Sequence, residues 1–456
     1  MLNTNTEFLR AEIMDVLRLF NAEDEEFTHY FSFGNGEYHN CIEYGGEFYD
    51  SVEVQATQDE LEFKRFAKRF AKIAFYNLLS KQKGIRFPYG ALTGIRPTKL
   101  AYTELSAGRD YVELFKKCGV SGENARHVSR VLDTQQPYYN NKGGQNVFVS
   151  LPFCPTKCEY CSFITAPISA TRQYVESYID CLEKELISIK PYLTKPKSIY
   201  VGGGTPFAIE AKQLERTYAA INALNINFAE YTVEAGRPDT FTEEKLKLTK
   251  EYGVTRICIN PQSFSDQTLK KIGRKHTCAD VYRAFEMSEK YGFDINLDLI
   301  AGLADEKLAD FENSLIRAIE LKPANITVHT LSLKSGARLK ENCTLLQVED
   351  IGAMLALSRK LLTEAGYAPY YMYRQKYQAG GHENCGWALP GKECIYNIDV
   401  MEEIADNVAV GANAISKRVF AEDERIERCA SPKDIPTYIS KVDKIISDRN
   451  NLFKGE

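Results

Sequence analysis

The chain has few of the features that mark the simpler functional classes. Its 456 residues carry 57 Lys and Arg against 62 Asp and Glu, a net charge of -5. Without a basic surplus it does not read as a general nucleic-acid binder, since phosphate contacts require one, although a local basic pocket is compatible with this balance. No uninterrupted apolar run reaches the roughly 18 residues a membrane span needs. The N-terminal stretch MLNTNTEFLRAEIMDVLRLF is broken by Glu7, Arg10, Glu12 and Asp15 and does not read as a signal peptide. A cytosolic protein is expected, and there twelve cysteines are not a disulfide framework. There is no internal repeat and no low-complexity tract. What is present is ordinary globular composition, 44 % hydrophobic and 26 % charged, in a chain long enough for two or three domains.

Periodicity divides the chain into three expected modules, 1–140, 145–335 and 336–456. The first reads as α+β: an amphipathic helix over 7–20 and alternating segments at 28–33, 38–44 and 47–54 that form a small antiparallel sheet. A helix over 58–79 follows, with Leu61, Phe66, Phe70, Ile73 and Phe75 roughly on one face. Lys64, Arg65, Lys68, Arg69 and Lys72 give that helix a basic face, usually a solvated one. The polar linker Asn140-Asn-Lys-Gly-Gly-Gln145 marks a boundary. Beyond it, short apolar strands at 147–151, 198–201, 231–234, 256–259, 295–300 and 326–331 alternate with helical patterns at 171–189, 211–224, 242–252, 278–291 and 308–321. Six such units predict an α/β fold, a partial (β/α)6 TIM-like barrel of parallel strands with chemistry at their C-terminal ends. The last module reads as mostly helical, with a glycine-rich loop over 378–392.

Three cysteines crowd the end of the first barrel strand: Leu151-Pro-Phe-Cys154-Pro-Thr-Lys-Cys158-Glu-Tyr-Cys161. Thiolates so spaced in one loop can converge on one cubane cluster. Four would close it; three leave one iron open to chelate the amino and carboxylate groups of S-adenosylmethionine (SAM), whose sulfonium then accepts an electron and loses a C–S bond. A structural zinc site is the alternative, but it needs a fourth ligand, and no His or Cys follows within hairpin range. With Tyr160 before the third cysteine, the motif resembles the signature of the radical SAM superfamily.

The later strand ends carry polar groups in order. The second ends in Gly202-Gly203-Gly204-Thr205-Pro206, on its own a tight turn, but one that looks like the superfamily's loop for the methionine amine. Glu234 follows at the third, Asn260 and Gln262 at the fourth with Arg274 twelve residues on, and Asp298 at the fifth. Carboxylates suit ribose hydroxyls, and a guanidinium suits a carboxylate. Each alone could be a solvated strand-end residue; five in succession argue for a site.

Leu-Pro-Phe-Cys154, Gly-Gly-Gly-Thr205-Pro, Glu234, Gln262-Ser-Phe, Arg274 and Asp298-Leu-Ile-Ala-Gly-Leu together resemble the oxygen-independent coproporphyrinogen III oxidase (dehydrogenase) family. The resemblance is strong over about 147–335. Thr93-Gly-Ile-Arg-Pro-Thr-Lys99 and the tail from Tyr373-Arg-Gln-Lys376 to Gly391-Lys-Glu-Cys-Ile-Tyr-Asn397 resemble its Bacillus/Clostridium-type branch. The resemblance implies a 4Fe-4S cluster on Cys154, Cys158 and Cys161, and SAM contacts from Gly203, Gly204, Thr205, Glu234, Gln262, Arg274 and Asp298. It further implies a reduced electron donor such as flavodoxin or ferredoxin, and conversion of two propionates of coproporphyrinogen III, a small-molecule tetrapyrrole, to vinyl groups in haem biosynthesis. Family members carry Tyr and His in the entering strand, where this chain has Phe148 and Ser150, and a fourth cysteine where it has Phe163. The related haem-chaperone branch uses a His-Asn-x-x-Tyr-Trp tail motif, against His382-Glu-Asn384-Cys-Gly-Trp387 here. Radical SAM chemistry on another tetrapyrrole or an RNA, and a non-enzymatic haem-trafficking role, are the other functions compatible with this motif set.

Three features lie outside it. Cys385 and Cys394, with Cys343 or Cys429, match no cluster spacing, and chance placement is the simpler reading. Arg374, Lys376 and Lys392 either pair substrate carboxylates or form a solvated basic face. Trp387 either stacks on a macrocycle or fills core. No residue is assigned a catalytic role from sequence.

Overall fold

The computed structural model describes residues 1–57, 59–94, 96–161, 166–332, 348–375, 379–420 and 425–454. Phe163, Cys343, Lys376 and the expected boundary at 335 therefore lie outside the described residues. The chain forms two compact units, Met1–Ser129 with Tyr373–Glu383, and Arg130–Met372 with Asn384–Glu456. The units thus depart from three consecutive modules, for two physical reasons. The Arg374 guanidinium donates to the carbonyls of Leu92 and Gly381 and lies 4.4 Å from the Tyr89 ring centre, which ties 373–383 into the first unit. Strands after residue 383 pair into the main sheet of the second. Arg374 is therefore buried and engaged, neither a solvated basic group nor a free partner for carboxylates.

In the first unit, β1 (Leu2–Thr4), β2 (Phe27–Gly34), β3 (Glu37–Tyr44) and β4 (Glu47–Val54) form one sheet in that order. β1 runs parallel to β2, and the other pairs are antiparallel. Alternation puts Phe27, His29 and Phe31 inside, where they meet Leu9, Ile13, Val16 and Leu17 of helix Glu7–Leu19 and Phe66, Phe70 and Phe75 of helix Glu60–Lys83. Asp59 caps the second helix through the Glu62 N–H, and Gly84 at φ 66° ends it. Leu61 falls off the buried stripe and is 54 % exposed. Much of the basic face is neutralised: Lys64 pairs with Glu60, Lys68 and Lys72 with Glu12, and Arg69 with Glu104. That leaves little of the positive surface an RNA would require.

The second unit is built on β5 (Gln145–Leu151), the two-residue pair β6 (Phe153–Cys154) and β7 (Ala166–Pro167), then β8 (Pro196–Gly203), β9 (Glu230–Gly236), β10 (Arg256–Gln262), β11 (Asp294–Ala301) and β12 (Asn325–Thr330). β5, β8, β9, β10, β11 and β12 lie side by side in sequence order, all parallel. Helices Val175–Ile189, Ala211–Asn222, Glu243–Glu251, Cys278–Lys290 and Leu308–Glu320 connect them. This is the α/β arrangement of parallel strands and connecting helices expected, with each predicted strand and helix present. The last third adds helices Val348–Glu364, Ile395–Glu402 and Ile435–Lys454. It also adds five strands the sequence pattern did not predict: β13 (Ala368–Tyr373), β14 (Asn384–Ala388), β15 (Asp406–Val410), β16 (Ile415–Phe420) and β17 (Arg425–Ala430). They extend the sheet at both ends to the order β13-β14-β12-β11-β10-β9-β8-β5-β15-β16-β17. Trp387 stands opposite Ile326 in the antiparallel β12–β14 pair, 1 % exposed, as core. Among the described residues no helix is long and apolar enough to cross a membrane.

Candidate functional site

The C-terminal ends of the parallel strands and the loops that leave them carry the three clustered cysteines, the 202–206 turn, Glu234, Asn260, Gln262, Arg274 and Asp298. The cysteine loop leaves β5 and is held against the end of β8: Gly204 N–H donates to Leu151 O at 2.9 Å and Thr205 N–H to Phe153 O at 2.7 Å. Ala166 N–H closes β6 on β7 by donating to Pro152 O. Two of the glycines are required by this contact. Gly203 sits at φ +101°, and a Cβ there would stand 2.7 Å from Ser150 Oγ; a Cβ on Gly204 would stand 2.5 Å from Phe153 O. Thr205 Oγ1 lies 3.5 Å from Cys154 Sγ. Cys154 and Cys158 are buried and Cys161 half-buried; Cys161 N–H donates to Cys158 O, and Glu159 N–H to Ile272 O.

Around the rim, Asn260 Nδ2 is 3.5 Å from Glu234 Oε1, Asn296 Nδ2 donates to Asp298 Oδ1 at 2.7 Å, and His329 Nε2 lies 3.7 Å from Asp298 Oδ2. Burial, reinforced by the neighbouring Asp298, pushes the Glu234 carboxyl up to about 7, against the Asn260 amide, His329 and the Gly203 N–H, which favour the charge. Gln262 adopts φ +70°, a strained backbone for a non-glycine, and its buried Oε1 accepts no hydrogen bond. Arg274 donates to Asn260 O and, at 2.7 Å, to the Tyr160 hydroxyl, while its buried Nε has no partner. Burial opposes its charge, but Tyr160 and the Cys158 sulfur hold it firmly protonated.

These features fit the cofactors such a loop implies. Three thiols of one loop offer soft anionic donors and no fourth. The unpartnered buried atoms Asn260 Oδ1 and Gln262 Oε1 on β10, and Arg274 Nε in the loop that follows it, are what a polar ligand would satisfy.

The two departures in the entering strand are engaged in packing. The Phe148 ring stacks with Tyr200 and Tyr396, and Ser150 Oγ donates to Ala412 O at 2.7 Å. Cys385 lies on β14 and Cys429 on β17, while the buried Cys394 thiol donates to Glu230 at 3.1 Å. Lys392 pairs with Asp294. Sequence reasoning missed Arg237 and Asp239, just past the end of β9, and His329 at the end of the sixth barrel strand. Their position directly at a strand terminus was the available signal.

Residues 148–318 match the Radical SAM superfamily. The chain is 36 % identical over 411 residues to the oxygen-independent coproporphyrinogen-III oxidase-like protein HemZ of Bacillus subtilis, covering 86 % of this chain and 82 % of that protein. It is also 36 % identical over 193 residues to the heme chaperone HemW of the same organism, covering 41 % of this chain and 50 % of HemW. Among solved structures, the radical SAM coproporphyrinogen III oxidase HemN of Escherichia coli shares the fold, with a TM-score of 0.53 and 21 % identity over 68 % of this chain and 72 % of HemN. The strand-end site and the extent of the HemZ match lead to one assignment: the chain belongs to the coproporphyrinogen oxidase-like family of the radical SAM superfamily, which works with a 4Fe-4S cluster and SAM.

Proposed function

We propose that Cys154, Cys158 and Cys161 hold the cluster, one iron each, and that the strand-end ring holds SAM on the remaining iron. Glu234, Gln262 and Asp298 accept the ribose hydroxyls, and Arg274 meets the carboxylate with its free Nε. The methionine ammonium, which can only donate, is met by carbonyl oxygens of the 203–205 segment, whose N–H groups at Gly204 and Thr205 seat the cysteine loop. Bound there, the reduced cluster and SAM supply a primary carbon radical able to take a hydrogen atom from an unactivated carbon.

The substrate we propose is coproporphyrinogen III, two of whose propionates become vinyl groups. Each loses a β-hydrogen atom to the radical, then carbon dioxide, and passes one electron to an acceptor. The observation that carries this reading is the HemZ match along 86 % of the chain. A haem-carrying role has less support from the tail: His382 and Trp387 are buried, and Asn384 Oδ1 accepts the Thr330 N–H at 2.9 Å. Anaerobic incubation of reconstituted protein with SAM, a strong reductant and coproporphyrinogen III is expected to yield vinyl product together with 5′-deoxyadenosine. Deoxyadenosine without vinyl product would reject this substrate, and stable stoichiometric haem binding without turnover would favour trafficking.

The Glu234 carboxyl gives the site a pH signature. Its elevated pKa keeps it largely protonated below about 7 and ionised above. If the ionised form accepts the ribose hydroxyls, SAM affinity rises with pH through about 7, falling by up to about tenfold per pH unit below it. Asp298 on β11 and His329 on β12 face the same carboxyl. Glu234→Gln is expected to flatten the dependence when SAM binding is measured by calorimetry across pH 5.5 to 8.5.

A further inference from the structure

Behind the cysteine loop lies a buried charged group to which nothing above gives a function. Arg237, with its side chain 3 % exposed, forms a bidentate pair with Asp239, Nε to Oδ1 at 3.0 Å and Nη2 to Oδ2 at 2.7 Å. Its third nitrogen donates to Thr156 Oγ1. Thr156 stands midway between Cys154 and Cys158. The other arm of the loop is held in a parallel way, with Tyr160 taking a hydrogen bond from Arg274 and the Glu159 N–H bound to Ile272 O. Each interval between cysteines is thus pinned by a buried guanidinium, Arg237 from the end of β9 and Arg274 from the loop beyond β10. His276 lies beside this group, 4.0 Å from Asp239, and burial together with Arg274 keeps its imidazole neutral. Arg237 and Arg274 bring two guanidinium charges to the back of the loop and Asp239 one carboxylate.

We propose that Arg237, seated by Asp239, is a positioning residue for the cysteine loop: through Thr156 it fixes the Cys154–Cys158 arm, and its charge favours the reduced state of the cluster held there. This rests on the cofactor assignment above. The physical basis is general. Groups outside the ligands orient them, and positive charge near a cluster that gains an electron raises its potential, more so where water is excluded. The loop has little regular structure of its own, so its shape depends on such external ties.

Two variants separate the charge from the clamp. Arg237→Gln removes the charge; Thr156→Val removes the acceptor and leaves the Arg237–Asp239 pair whole, so folding is not in question. Redox titration of the reconstituted protein, followed by the paramagnetic signal of the reduced cluster, and iron loss to a chelator are the two readouts. Arg237→Gln is expected to shift the reduction equilibrium about tenfold toward the oxidised form, roughly 59 mV for one electron, with Arg237→Lys restoring most of it. Thr156→Val is expected to keep the wild-type potential and release iron several-fold faster. Unchanged potential in Arg237→Gln overturns the electrostatic role, and unchanged iron release in Thr156→Val overturns the clamp. Wild-type protein with no cubane signal would instead overturn the cofactor assignment, and this proposal with it.

Discussion

Alanine at Cys158 is expected to leave a folded protein that forms no stable cubane and cleaves SAM no faster than a protein-free control. Cys158 lies in a loop, outside the helices and strands that build the core, and truncating it removes one sulfur. The loop anchors, Gly204 N–H to Leu151 O and Thr205 N–H to Phe153 O, do not involve its side chain. Stability should therefore fall little, whereas a cluster held by two thiolates lacks a ligand on a second iron. Cys154→Ala and Cys161→Ala should behave alike. Absorption and paramagnetic resonance of anaerobically reconstituted protein check the cluster, chromatography of 5′-deoxyadenosine checks the cleavage, and circular dichroism checks the fold. A single-cysteine variant that retains the wild-type cluster would remove that residue from the ligand set.

The second large effect is expected at a residue with no side chain. Alanine at Gly204 would place its Cβ 2.5 Å from Phe153 O and 2.7 Å from the Pro152 carbonyl carbon, both backbone atoms that cannot rotate away. Either the end of β8 or the cysteine loop must move, and both hydrogen bonds between them weaken. Overpacking of this kind costs about 1–3 kcal/mol and each lost hydrogen bond about 1 kcal/mol, so a total on the order of 3–5 kcal/mol is expected, with loss of cluster binding even where the protein still folds. Gly34→Ala serves as control: a Cβ there meets nothing within 4 Å, and it should melt within about 0.5 kcal/mol of wild type. Thermal unfolding and iron content of the two variants decide the matter.

The site was legible because each of its parts has a local signature. Buried parallel strands read as short apolar runs, as in Ile257-Cys-Ile259, which gives way to the polar Asn260, while Asp298 stands inside the run Leu297-Asp-Leu-Ile300. The cysteine spacing is equally local. The unread features depend on partners distant in sequence. β14, Asn384-Cys-Gly-Trp-Ala388, has little strand propensity of its own and is extended because it pairs with β12. β17, Arg425-Ile-Glu-Arg-Cys-Ala430, lacks a regular apolar alternation and is ordered by its ladder with β16. Arg374 looked like a surface cation because its acceptors, Leu92 O and Gly381 O, are carbonyls that any residue could supply. The glycine run was read as a ligand grip. Its N–H groups at 204 and in the adjoining Thr205 also seat the cysteine loop, a role visible only once the two strand ends are seen in register.

All of this depends on three sulfurs in one loop leaving an iron for SAM. The most direct measurement is the paramagnetic spectrum of dithionite-reduced, anaerobically reconstituted protein recorded with and without SAM, beside the variant in which Cys154, Cys158 and Cys161 are all alanine. A cubane signal that changes shape when SAM is added, and that is missing from the triple variant, is the predicted result. A signal that ignores SAM, or one that survives the loss of all three cysteines, would contradict the account.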